Sequence, residues 1–152
     1  MPMRITKLLV VTLVFVATLP AFGQRQFDDV EYLKPAGSSE KKGQTVKGFL
    51  RFDNKEKELQ FVGKATNFTV KYERVKNLIY ERTARPRYVS GILLAWPLLF
   101  TKGKKHFLTV QYADDTGAGQ FATVRLEKGN YQEILVTAEA ETGIKVERHA
   151  EN

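Results

Sequence analysis

Alternation of apolar and polar side chains constrains this chain more than any other feature. From Thr45, Val46, Gly48, Leu50 and Phe52 fall on one face of an extended segment, and Lys47, Phe49 and Arg51 on the other. A period of two with one apolar face is the pattern of a half-buried strand. Asp53 and Asn54 tolerate tight-turn geometry and mark a reversal. Leu59 and Phe61 carry a second strand inward, and Gly63 to Asn67 turns again. Phe68, Val70 and Tyr72 alternate through a third strand, and Leu78 and Tyr80 through a short fourth. His106, Leu108, Val110 and Tyr112 resume the alternation; Ala122, Val124 and Leu126 return it after the turn signal Ala113–Gly119.

The period then switches. Tyr131, Ile134, Leu135 and Ala138 are spaced i, i+3, i+4 and i+7, one face of a helix near 130–142. Asn130 is the expected N-cap, with Glu133 three residues on. Gly143 is placed to end the helix in the left-handed conformation. Ile144 to Arg148 has room for one short extra strand. The expected fold is mainly β: six or seven antiparallel strands in a strongly bent, partly open barrel, with one C-terminal α-helix covering an end.

Gly48-Phe49-Leu50-Arg51-Phe52, Leu59-Gln60-Phe61, Lys104 through Tyr112, and Tyr131 through Ile134 to Thr142-Gly143 together resemble a small bacterial pleckstrin-homology-like (PH-like) domain. The resemblance runs from about Thr45 to Val146 and rests on element order and apolar pattern. A lipocalin-like barrel and an oligonucleotide-binding-type barrel are the rival folds. The resemblance implies a scaffold that binds phosphoinositides, proteins or peptides, and fold alone does not choose among these. Family members that bind phosphoinositides carry basic residues on the first two strands. Lys47, Lys55 and Lys57 match that pattern loosely, with Glu56 and Glu58 among them, so that activity is not carried over.

The ends of the chain lie outside this pattern. Arg4 and Lys7 precede an apolar run from Leu8 to Leu19, and Ala21 and Gly23 follow with the small-residue spacing of a signal-peptidase site. The run is shorter than the roughly 20 residues that span a bilayer. Residues 1–23 are therefore expected to be a signal peptide, cleaved to leave Gln24 first, with the protein exported to the periplasm or secreted. Residues 24–44 are polar and read as a flexible lead-in, 45–148 as the domain, and 149–152 as a tail. Whole-chain charge is +7; without Arg4 and Lys7, 22 basic residues face 17 acidic ones, or +5. The basic residues are scattered among acids, so nucleic acid is not an expected partner. An anionic membrane surface or an envelope protein is, and a homo-oligomer is compatible with the pattern.

Chemistry-bearing groups are sparse. There is no cysteine, which removes disulfides, cysteine nucleophiles and thiolate metal sites. Two histidines, His106 and His149, do not make a metal cluster. His106 reads as a part-buried strand-end residue. Asp114-Asp115-Thr116-Gly117 has the Asp-Thr-Gly triplet of aspartic proteases but is explained by a turn. No phosphate loop or nucleophile elbow is present. Neither an enzyme, nor a cofactor, nor a metal is expected.

The anomaly is the unbroken apolar stretch Gly91–Phe100. It contains Ile92, Leu93, Leu94, Trp96, Leu98, Leu99 and Phe100. Arg85 and Arg87 precede it, and Lys102, Lys104 and Lys105 follow. Burying five or six such side chains is worth roughly 10 kcal/mol, at about 1.5–3 kcal/mol each, so the stretch needs cover. Three covers compete: a strand buried on both faces with Pro97 at a bend, an apolar loop in the membrane interface with a basic collar, or contact with a partner chain. The leading expectation is a binding or adaptor module that touches a membrane surface or envelope protein through these residues. The alternative is a carrier or sensor of a small apolar ligand at a barrel end.

Overall fold

The computed structural model describes residues 23–35, 44–84 and 103–150. Among them are eight strands and one α-helix. The strands are β1 (Arg25–Lys34), β2 (Gln44–Asp53), β3 (Glu58–Gly63), β4 (Asn67–Lys71), β5 (Val75–Thr83), β6 (Lys105–Ala113), β7 (Gly119–Leu126) and β8 (Val146–Ala150). A 3-10 turn at Tyr72–Arg74 leads into β5, and α1 (Tyr131–Thr142) lies between β7 and β8. All the strands belong to one open sheet in the order β4-β3-β2-β1-β7-β6-β5-β8. This is the mainly β architecture with a late helix expected from the alternation, and it is consistent with a PH-like domain.

The turns form where the residues demand them. Asp53 Oδ1 accepts the amides of Lys55 and Glu56 at 2.9 and 3.0 Å, closing the β2–β3 reversal. Asp114 Oδ1 accepts the amides of Thr116 and Ala118 and the Thr116 hydroxyl in the β6–β7 turn. Gly117 takes the positive φ that the turn requires, 85°. These bonds hold the Asp114 carboxyl at about 2, with the Thr116 hydroxyl first among the causes and Gln120 next. The triplet is thus a structural turn, as expected.

The lead-in is a correction. Residues 25–34 are not a flexible approach to the domain but a ten-residue strand paired with β2 on one side and β7 on the other. A bulge between Phe27 and Val30 breaks its alternation, and Asp29 sits there at φ 56°. Phe27 and Val30 are consequently three apart, yet both are buried in the core. The strand count rises to eight for the same reason, with β8 running parallel to β5 at the other edge.

Leu50, Phe52, Leu59, Phe61, Leu78, Leu108, Val110 and Val124 fill the inner face, and Ile134, Leu135 and Ala138 of α1 pack on them. Gly143 ends the helix at φ 72°, its amide bonding to the Glu139 carbonyl. Asn130 does not cap the first turn with its side chain; its amide nitrogen donates instead to the Asp28 carbonyl at 2.9 Å, tying the helix start to the β1 bulge. The outer face of the second half is also buried. Leu33, Ile79, Phe107, Thr109 and Thr123 lie there, with the two threonine hydroxyls 2.9 Å apart. The expected signal peptide, except Gly23, and the stretch 91–100 lie outside the described residues.

Candidate functional site

Strand register gathers one charged cluster at the helix end of the sheet. Arg82 pairs with His106 across β5 and β6, and His106 with Leu126 across β6 and β7. Lys105 opens β6 opposite Thr83. The tight turn from β7 into α1 brings Lys128 and Tyr131 over these ends. Arg82, Lys104, Lys105, His106, Lys128 and Tyr131 line a cleft of about 320 Å³, shared with Arg125, Leu126 and Glu127. Arg125 is satisfied by Glu31 at 2.6 Å across the β1–β7 seam. Glu127 is the acidic residue of the lining.

The floor is aromatic. His106 stacks on Tyr131, the first residue of α1, with centroids 3.9 Å apart and planes 13° apart. Tyr80 lies nearly parallel to both rings. Its hydroxyl is 2.7 Å from His106 Nδ1. Burial raises the Tyr80 pKa, so the phenol keeps its proton. Where that hydroxyl donates to Nδ1, the neutral imidazole carries its own hydrogen on Nε2. Burial, then the charges of Arg82 and Lys128, pushes the His106 pKa below its ordinary value; Glu127 opposes this and Lys105 adds to it. The imidazole therefore registers positive charge arriving from three elements.

A cleft walled by protein and lined by cations concentrates anions. Opposite charge lies beside it. A neighbouring cleft of about 460 Å³ along the seam is lined by Asp29, Glu31, Lys47, Gly48, Glu127 and Gly129. Among the described residues no cluster of histidine and carboxylate groups is arranged to hold a metal ion, and no helix is long and apolar enough to cross a membrane.

Of the residues singled out from the sequence, Lys104 and Lys105 line the cationic cleft. Arg85, Arg87, Ile92, Leu93, Leu94, Trp96, Leu98, Leu99, Phe100 and Lys102 lie outside the described residues. Sequence reasoning missed Arg82 and Lys128, which stand more than 20 positions from Lys105 on either side and meet it through strand pairing and the turn from β7 into α1. It took His106 for a strand-end residue, and part-buried it is, but its ring also floors the cleft.

No family model matches the chain, and no curated protein matches it significantly. One solved structure with a similar chain is "Structure of the Spt16D Pob3N heterodimer", at 13% identity and a TM-score of 0.48. The match covers 86% of this chain and 56% of that one, so the chain spans a little over half the length of the structure it matches.

Proposed function

We propose that this protein is an exported, non-catalytic docking module whose cationic end meets an anionic membrane surface. The observation that supports this reading is the convergence of Arg82, Lys104, Lys105 and Lys128 on one cleft. The cleft is lined by the end of β5 and the start of β6, and the apolar stretch 91–100 lies between these two strands in the sequence. Basic residues beside apolar ones suit the bilayer interface: cations attract anionic headgroups, about 1 kcal/mol each near the surface, and apolar side chains add burial. An envelope protein with an acidic face is the other outcome of the test. The carrier reading draws no support from these clefts, whose linings are largely charged.

Co-sedimentation of the chain from Gln24 with vesicles tests the proposal. Vesicles with phosphatidylglycerol are expected to pellet the protein, and vesicles of phosphatidylcholine alone are not. Lys104→Glu/Lys105→Glu and Trp96→Ala, checked for folding by circular dichroism, are each expected to weaken binding at least tenfold. Folded wild type remaining in the supernatant with every vesicle would remove the membrane reading.

A further inference from the structure

We propose that the cleft bounded by Arg82, Lys105, Lys128 and the His106–Tyr131 pair is a binding site for a single phosphate-type oxyanion. It deepens the docking reading, resting on the same cationic end, but it asks for a defined pocket and not for a bilayer. Three features carry it. The first is origin: Arg82 comes from β5, Lys105 from β6, and Lys128 from the turn before α1, yet all three line one cleft. Cations on separate elements that converge can surround a small anion, as cations spread over a flat surface cannot. Arginine offers a planar fork for two oxygens, and lysine a compact charge.

The second is size. About 320 Å³ lies at the lower end of ligand pockets, which run from about 300 to 1,000 Å³. That is room for a phosphate-type group with part of whatever carries it. The third is the floor. Tyr131 is the first residue of α1, so the positive end of the helix dipole lies at the rim. His106 is stacked and its Nδ1 is bonded to the Tyr80 hydroxyl; in the tautomer that accepts there, and in the imidazolium, Nε2–H is a donor. The charged and titratable groups around it are Arg82 and Tyr80 from β5, Lys104 and Lys105 before and within β6, Arg125 from β7, Glu127 and Lys128 from the turn, and Tyr131 from α1. Tyr80 also feels Arg148 of β8. A bound oxyanion offsets the positive charge that disfavours imidazolium, so binding and protonation of His106 promote each other.

The oxyanion has two possible sources, a free phosphate or a lipid headgroup, and the experiment separates them. The full chain, labelled with 15N and 13C, is titrated with inorganic phosphate, and with chloride at matched ionic strength, while the His106 ring signals are followed from pH 5 to 8. The expected result is a saturable shift with phosphate alone and a rise in the His106 pKa when the site is filled. Arg82→Gln and Lys128→Gln, each with native signal dispersion, are expected to weaken phosphate about tenfold or more. Shifts that never saturate, or that chloride reproduces, would overturn the site. A parallel arm adds phosphatidylglycerol vesicles. Vesicle binding without a saturable phosphate response leaves the docking reading standing and removes this site. Phosphate binding without vesicle binding does the reverse and assigns the cleft to a soluble ligand.

Discussion

Gly48 shows how much one side-chain hydrogen can decide. It faces Gly63 across the β2–β3 ladder. A Cβ there would run into the Val62 carbonyl oxygen and come within 2.8 Å of the Phe61 ring. Backbone cannot retreat, and Phe61 is held between Tyr32 and Phe68, with ring centroids 5.4 and 5.5 Å away. Gly48→Ala is therefore expected to cost about 3 kcal/mol or more, read as a lowered urea midpoint with little change in slope. A variant as stable as wild type would mean that the aromatic group yields. The alternation placed Gly48 on the inner face correctly. It could not reveal the reason for glycine there, because the clash comes from Phe61 and Val62 of β3, across the ladder.

The elements show where periodicity speaks and where it fails. β2, β3, β6 and β7 are legible because each runs without a bulge, so its inward residues stay two apart, even though β6 and β7 also bury residues of the outer face. α1 announced itself by its stripe and by Gly143. β1 was silent: the bulge at Asp29 resets its phase, so its inward residues follow neither a strand nor a helix period. The cationic cleft was half legible. Lys104 and Lys105 are adjacent in sequence; their partners come from strand pairing and from the turn before α1. The β6–α1 contact also carries a pH effect. His106 titrates below its ordinary value in the folded chain, chiefly through burial and then through Arg82 and Lys128, and near 6.5 when unfolded. The unfolded chain thus binds the proton first. Stability from this group is present above about pH 6.5 and is lost as the pH falls toward the folded value. The slope is at most about 1.4 kcal/mol per pH unit. His106→Phe keeps a ring against Tyr131 and removes the proton. Denaturant titrations between pH 5 and 8 are expected to show a shallower pH dependence in the variant. Parallel curves would assign the slope to other groups.

At the scale of the whole molecule, two meanders share one sheet and meet along a single strand. β2, β3 and β4 stand on one side of β1, and β7, β6 and β5 on the other. The β1–β7 seam is short, with Glu31 opposite Arg125 and Tyr32 opposite Val124, and the Arg125–Glu31 pair lies across it. β1 also supplies Phe27, edge-on to Phe52 at 6.0 Å, and the fully buried Val30, while Tyr32 packs against Phe61 and Phe68. Losing Phe27, Val30, Tyr32 and Leu33 removes about 6–12 kcal/mol of burial, at about 1.5–3 kcal/mol each. That is the size of a domain's entire stability, about 5–15 kcal/mol. It would also leave the edges of β2 and β7 unpaired, an invitation to aggregation. The domain boundary suggested by the alternation, Thr45, therefore cuts through the structure. A chain beginning at Thr45 is expected to lack a cooperative thermal transition and to aggregate, while one beginning at Gln24 melts in a single step. Equal melting of the two would show that each meander holds without the strand between them, and that the sheet's central seam is dispensable.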